Sequence, residues 1–261
     1  MFLVQYWTMK NFILLFIGLI AMARLSAQTI VNTETLMLAG DSGFMWTAGI
    51  GGDVSVGNSD VMDVNADAGL TWDWGRTALK VIGSWNSLSE EGESIQGNAF
   101  AHIRAEVGDL DRLQVFGFIQ SSNNDVLLMT SRNLVGVGLK RSLWSGDRSY
   151  GTASWGGFWE AESYSAEFEV SPTELIRNSV VFSGGWHANE NLNLRYTVYV
   201  QSDVRQWSDS RAFFEWTWDV AIANQMSFEW NLGVRWDGDP HAGLNPVDLG
   251  STVGLRFGFD G

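Results

Sequence analysis

Four runs of sequence near the C-terminus share one alternating pattern: LNLRYTVYVQ (192–201), RAFFEWTWDVAI (211–222), MSFEWNLGVRWD (226–237) and LGSTVGLRFGF (249–259). In each run, apolar residues, many of them large, alternate with polar, charged or small ones. Successive side chains of a β-strand leave the backbone on opposite faces, so strict alternation over ten or more residues predicts strands.

The length of these strands favours a membrane barrel over an ordinary sheet. Strands of soluble sheets usually have about five or six residues, whereas about 9 to 11 residues cross a bilayer at a tilt. One face is aromatic and aliphatic, the other carries charged residues, Asn and Gly, and Trp is concentrated towards the strand ends. These features are typical of a transmembrane barrel. A secreted sandwich or lipocalin-like binder would also alternate, but with shorter strands and a single core face.

The pattern extends upstream to residue 43 and predicts about twelve strands, an even number as in bacterial barrels. The predicted turns after even strands are all short, and the predicted loops after odd strands, such as residues 88–97, are mostly long and polar. Bacterial barrels place short turns in the periplasm and long loops outside the cell. We therefore predict an all-β fold, a closed antiparallel transmembrane β-barrel over residues 43–261.

The first 42 residues are predicted to lie outside this barrel. Lys10 precedes the apolar run 12–23, and Ser26-Ala27 offer a cleavage point before Gln28. This arrangement is typical of a secretory signal peptide, so we assign residues 1–27 to one. Residues 28–42 have no clear period, and we expect them to be a periplasmic lead-in. Export of a barrel predicts location in the outer membrane of a Gram-negative cell.

Composition excludes several classes of protein. The chain has no Cys, which removes disulfides, thiolate metal sites and a lipid anchor on cysteine. Loss of Lys10 and Arg24 with the signal peptide leaves 14 basic against 30 acidic residues, a net charge of −16. Nucleic-acid binding needs clustered positive charge, so that function is disfavoured.

Several short segments carry a family resemblance. They are FGFIQSSN (116–123), RNLVGVGLK (132–140), GFWE (157–160) and RWD (235–237). With them the chain resembles a family of bacterial salt-induced outer-membrane proteins that contain a domain of unknown function. The resemblance implies an outer-membrane barrel and assigns little chemistry.

If the apolar face contacts lipid, the charged residues between point into the barrel. The candidates for lining the lumen are Arg104, Glu106, Arg132, Lys140, Glu160, Glu162, Arg195, Arg211, Glu215, Asp219, Glu229, Arg235 and Arg256. The same face also holds Asp53, Asp63, Asp67, Asp73, Lys80 and Arg177. Such residues line a selective water path in one interpretation and form a space-filling ion-pair network in the other. Twelve strands are intermediate between filled and open barrels, so both interpretations stay open.

The histidines suggest an alternative in which the barrel carries an enzyme. His102 is predicted to point inward beside Arg104 and Glu106, whereas His187 is at a short turn and His241 is in a loop. A hydrolase needs a nucleophile beside a His base, and no Ser is close to His102 in sequence. We expect no catalytic residue. A lipid-modifying enzyme is the alternative function.

Two other features receive structural interpretations. The acidic loops lack the spacing of oxygen ligands that calcium needs, so we expect a solvated rim and no metal. Gly136 and Gly138 lie on a predicted strand, where close backbone approach or curvature of the wall is expected.

We therefore predict a narrow passive channel or an envelope structural protein, with no cofactor. Its expected partners are outer-membrane lipids and, during assembly, the barrel-insertion machinery and periplasmic chaperones. We expect a monomer that does not bind nucleic acid.

Overall fold

The computed structural model describes residues 30–36, 43–55, 61–90, 93–125, 128–166, 171–223, 225–240 and 245–260. The proposed signal peptide lies outside these residues and stays a prediction. A short helix, α1 (Thr33–Leu36), precedes the strands. None of the helical residues within these ranges forms a helix long and apolar enough to span a membrane.

Twelve strands form within the described residues. They are β1 (Gly43–Ser55), β2 (Val61–Asp73), β3 (Thr77–Glu90), β4 (Glu93–Asp109), β5 (Leu113–Asn124), β6 (Met129–Ser145), β7 (Ser149–Tyr164), β8 (Thr173–Asn189), β9 (Leu192–Asp203), β10 (Ser210–Ala223), β11 (Met226–Asp237) and β12 (Val247–Asp260). Each strand pairs antiparallel with its neighbours in sequence, and β1 pairs with β12. The predicted fold class, a closed antiparallel barrel, is confirmed.

The register of the strand pairs keeps the outward-facing, mostly apolar residues on one face around the whole barrel. Trp216 of β10 lies opposite Tyr196 of β9 and Leu232 of β11. The closing pair keeps the same order, because Ala48 lies opposite Phe257 and Ile50 opposite Leu255. A slip of one residue would turn every side chain to the other face, so the alternation of the sequence fixes this register.

The two faces of the wall differ sharply in exposure. Along β6, Arg132 and Leu134 are buried inside the barrel, whereas Val135 and Val137 point outward. Val137 is 66% exposed, and Trp155 on the neighbouring strand is 59% exposed. Large apolar side chains are exposed on nearly every strand. Soluble monomers rarely expose apolar patches of more than a few hundred Å².

The β3–β4 hairpin is longer than the sequence predicted. We expected a loop over residues 88–97, but β3 continues to Glu90 and β4 begins at Glu93. The pairing continues past a register shift at Leu88, with Ser89 opposite Ser94. Strands pair through backbone hydrogen bonds, which do not require apolar side chains. This polar stretch therefore forms strand although its sequence lacks the alternation of apolar and polar residues.

Glycines on the inner face of β6 let aromatic rings pack against the wall, as the close-approach interpretation expects. A Cβ atom on Gly136 would lie 2.4 Å from Cε1 of Phe118, and one on Gly138 would lie 2.3 Å from Cζ of Phe116. Both rings therefore occupy space that any larger residue would need.

Candidate functional site: the barrel interior

The thirteen charged residues predicted to line the lumen alternate along their strands with the outward-facing apolar residues. Eleven of them belong to three ion-pair clusters. We name these the Glu160 cluster (Arg132, Glu160, Glu162, Arg177, Asp209, Arg211, Asp237), the Glu229 cluster (Asp67, Arg195, Asp219, Glu229, Arg256) and the Glu34 cluster (Glu34, Lys80, Arg104, Glu106, Lys140). The other two are Glu215, which accepts a hydrogen bond from Asn32, and Arg235, which lies 4.6 Å above the ring of Phe213.

The Glu160 cluster lies towards the end of the barrel that carries the longer loops. The Nε atom of Arg177 donates to Glu160 over 2.7 Å, and its two terminal nitrogens donate to the carboxylate of Asp209. Arg132 pairs with Glu160 from β6. Arg211 donates to Glu162 over 3.1 Å. Buried charges are costly unless they are paired, and in this network each charged group has an oppositely charged neighbour.

The Glu229 cluster lies on the wall where the last strands meet the first. Arg256 donates from Nε and Nη2 to both oxygens of Glu229, over 2.7 and 2.9 Å. Arg195 donates to Glu229 over 2.7 Å. Arg256 also reaches Asp67 on β2, with 3.2 Å between Nη1 and Oδ2. This last ion pair joins strands from the two ends of the chain.

Residues 30–36 lie inside the barrel, and we name them the interior segment. Ile30 packs against Val181, Tyr199 and Phe213 of the wall. The side-chain amide of Asn32 donates to Glu215 over 2.6 Å. The expectation for residues 28–42 was a periplasmic lead-in, and the described part of this range lies in the lumen instead. It is held there by partners on distant strands, which its own sequence does not reveal.

The Glu34 cluster joins the interior segment to the wall. One oxygen of Glu34 accepts from Arg104 Nη1 over 2.7 Å, and the other accepts from Lys140 Nζ over 2.5 Å. Glu106 completes the cluster by pairing with Arg104 and Lys80, at 3.0 and 2.9 Å. Burial alone would raise the pKa of Glu34, but Lys140 and Arg104 outweigh it and lower that pKa well below its usual range.

A cavity of about 60 Å³ lies between the interior segment and the wall. Three aromatic rings, those of Phe116, Phe118 and Phe158, line one part of it. Polar side chains, including Arg104 and Gln120, also line it, together with further apolar residues. The cavity therefore offers an apolar surface beside charged and amide groups.

His102, the residue on which the enzyme alternative depends, makes contacts of another kind. Its Nδ1 atom lies 3.2 Å from the amide oxygen of Gln120. Its ring stacks between Phe100 and Phe118, with centroid separations of 6.2 and 5.3 Å. These contacts pack the ring into the wall, and nothing in them supports a nucleophile–base pair.

Among the residues that the structure describes, the other histidine and the acidic groups form no further site. His187 contacts Asn193 at an exposed turn, and His241 lies outside the described residues. Within the described part of the chain, no group of three or more His, Asp or Glu residues is arranged to hold a metal ion.

Comparison with known proteins gives the family. The model of the family described as "Protein of unknown function, DUF481" matches residues 48–259. The chain belongs to this family. The description assigns no activity, and the association with salt implied by the resemblance stays a prediction. No curated protein matches the chain.

Two solved outer-membrane proteins share the barrel fold of this family member. The NanC porin aligns with a TM-score of 0.51 at 8% identity, over 82% of this chain and 98% of that one. The COG4313 outer membrane channel from Pseudomonas putida F1 also aligns with a TM-score of 0.51 at 8% identity, over 88% of this chain and 99% of that one. Similarity at this level of identity concerns the fold alone.

Proposed function

We propose that the protein is an outer-membrane barrel that forms a narrow passive channel, closed in this state by the interior segment. The belt of exposed apolar side chains supports the membrane location, since such a surface needs lipid to cover it. The similarity of the fold to porins and channels agrees with it. In this proposal a signal peptide over residues 1–27 directs export. Chaperones and the insertion machinery then assemble a monomer among outer-membrane lipids.

The observation that carries the channel function is the interior segment itself. A barrel that serves only as a rigid element can be filled by side chains of its own wall. Here residues 30–36 of a separate stretch occupy the lumen, held by hydrogen bonds and ion pairs from Asn32 and Glu34. The wall around the segment carries charged residues of both signs, as the lining of a selective aqueous path does.

An envelope structural protein is the second candidate. The observation that favours it is the Glu160 cluster, whose Glu160 and Arg177 side chains are fully buried and tie β7 to β8 and to the loop-side residue Asp209. This cluster fixes the wall at one end whether or not the interior segment leaves.

Conductance in planar lipid bilayers separates the two candidates. The purified wild-type barrel should be silent or open only briefly, and a variant lacking residues 30–36 should give stable open steps. Gel electrophoresis controls for folding, because a folded barrel migrates faster before boiling than after it. If the folded variant is as silent as the wild type in potassium chloride, the channel function is wrong and the structural role gains support.

A further inference from the structure

Two of the three clusters contain one carboxylate more than they contain cations, whereas in the third the wall residues carry an excess of cations. In the Glu160 cluster, three arginines face four carboxylates, and in the Glu229 cluster, two arginines face three. In the Glu34 cluster, the described wall residues that form the ion pairs are three cations, Lys80, Arg104 and Lys140, and one carboxylate, that of Glu106. The second carboxylate of that cluster comes from the interior segment.

Glu34 occupies the wall cations as a ligand would. Each oxygen of its carboxylate accepts one donor, Arg104 Nη1 from β4 and Lys140 Nζ from β6. The side chain of Glu34 is 7% exposed, and Arg104 is buried. The guanidinium of Arg104 lies 3.8 Å above the ring of Phe116, which holds it in place. The donors therefore belong to the fixed wall, and only the acceptor belongs to the inserted segment.

An anion beside Lys80, Arg104 and Lys140 stabilises the barrel, because these wall cations outnumber the wall carboxylate that pairs with them. Buried cations are costly when a partner carboxylate is taken away. Withdrawal of Glu34 from the barrel would leave three cations beside one carboxylate in a protein that is strongly acidic as a whole. We propose that Lys80, Arg104 and Lys140 form a binding site for the carboxylate of a small organic anion, and that Glu34 occupies this site in the closed state.

The surroundings of the site set the size and character of such an anion. While the interior segment stays in place, as in a barrel with Glu34→Ala, the cavity of about 60 Å³ beside residue 34 and Arg104 leaves little room for the remainder of the molecule. The rings of Phe116 and Phe118 offer contact to an apolar group, and Gln120 offers an amide to a polar one. A short carboxylate fits this description, and a bulky one does not. The inference rests on the proposed channel function, because in the wild type an outside anion can replace Glu34 only when the segment leaves the site.

Chemical rescue tests the site. Glu34→Ala removes the carboxylate and leaves space for a free one. In detergent, acetate should raise the Tm of this variant by several degrees over the same concentration of sodium chloride. Binding to the folded state alone stabilises it in this way. Acetamide has nearly the same shape without the charge and should have no such effect. The wild type, whose site is filled, should respond to neither compound.

Two further variants sharpen the result. Asn32→Ala removes the hydrogen bond to Glu215 but leaves Glu34 in its site, so acetate should not stabilise this variant. Glu34→Ala combined with Lys140→Met removes one of the two donors and should lose most of the acetate response. If Glu34→Ala does not fold alone, the readout becomes the yield of folded barrel on refolding in acetate against acetamide. Equal responses to the two compounds, or equal acetate responses of wild type and Glu34→Ala, would overturn the proposal.

This experiment fails separately from the test of the channel. Rescue in detergent does not require ion flow, and conductance of the variant lacking residues 30–36 does not require an anion site. A silent bilayer with clear acetate rescue would reject the channel and keep the site. Stable conductance without rescue would keep the channel and reject the site.

Discussion

Arg177 and Glu160 form an ion pair across neighbouring strands β7 and β8, with 2.7 Å between Nε and Oε1 and with both side chains 0% exposed. Neither group has water to replace its partner. The pair therefore stabilises the barrel only as long as it is complete, because removal of one member leaves the buried groups of the cluster with fewer opposite charges around them.

Arg177→Met should accordingly destabilise the barrel by about 3 to 5 kcal/mol, the usual cost of breaking a buried ion pair by removing one partner. The substitution keeps a long side chain but leaves Asp209 without its two donors. Urea unfolding of the barrel in lipid vesicles measures the loss. Arg148→Ala, at an exposed turn, is the control and should be neutral. Equal unfolding midpoints for the two variants would show that the cluster contributes nothing.

Val137→Arg tests which face contacts lipid. Val137 is halfway along β6 and points outward, and an Arg near the bilayer midplane costs about 2 to 4 kcal/mol in a barrel. The variant should insert poorly into vesicles and unfold at lower urea. Val204→Arg is a matched control, because Val204 is also an exposed valine but lies beyond the end of β9. Equal insertion of both variants would contradict the assignment of the faces.

Gly136→Val should destabilise the barrel by about 1 to 3 kcal/mol, as overpacking of a filled interior does. A Cβ at this position would lie 2.4 Å from the ring of Phe118 and 2.7 Å from Cβ of Phe158, and the second contact is next to the backbone. Gly146→Ala, whose nearest contact is at 3.7 Å in a turn, should be tolerated. Unfolding midpoints compare the two, and an unaffected Gly136→Val barrel would mean that the rings do not fill this space.

Glu34 gives the interior segment a defined dependence on pH. Arg104 and Lys140 hold the pKa of Glu34 below its unfolded value of about 4.3. The ion pairs therefore contribute fully above that value and are lost as pH falls below it towards the folded pKa. The difference in Tm between wild type and Glu34→Gln should be constant from about pH 5 to 8 and shrink below about pH 4. A difference that disappears between pH 8 and 6 would contradict this ion pairing.

The sequence predicts the barrel well because the wall is a periodic object. Alternation alone places Arg132 inside and Val137 outside, and the structure agrees. The alternation also places the charged residues on one face, but it does not predict which of them form ion pairs. Arg256 pairs with Asp67, 189 residues away, because closure brings β12 beside β1. Such pairs depend on the circumference and tilt of the barrel, which no local pattern records.

The interior segment shows the other limit of sequence-based prediction. Residues 30–36 have no strand or helix period, and α1 is only four residues long. Asn32 meets Glu215 over a separation of 183 residues, and Glu34 meets Lys140 over 106. The one sequence signal in hindsight is a surplus of cations on the inner face of β3, β4 and β6, which implies a missing anion without naming it.

A reversible tether on the interior segment tests whether it closes the lumen. The chain has no Cys, so Thr33→Cys with Tyr199→Cys introduces the only two thiols. In the native contact, the hydroxyl oxygens of Thr33 and Tyr199 lie 3.2 Å apart. A short bis(methanethiosulfonate) cross-linker joins the two thiols through disulfides, with methanesulfinate as the leaving group, and conductance is recorded in a planar bilayer before and after reduction. Both cysteines are placed in a barrel that also carries Asn32→Ala and Glu34→Ala, which remove the contacts that hold the segment. The cross-linked barrel should be silent, and the same membrane should show open steps once the linker is cleaved. Conductance that is the same before and after cleavage would contradict closure of the channel by residues 30–36.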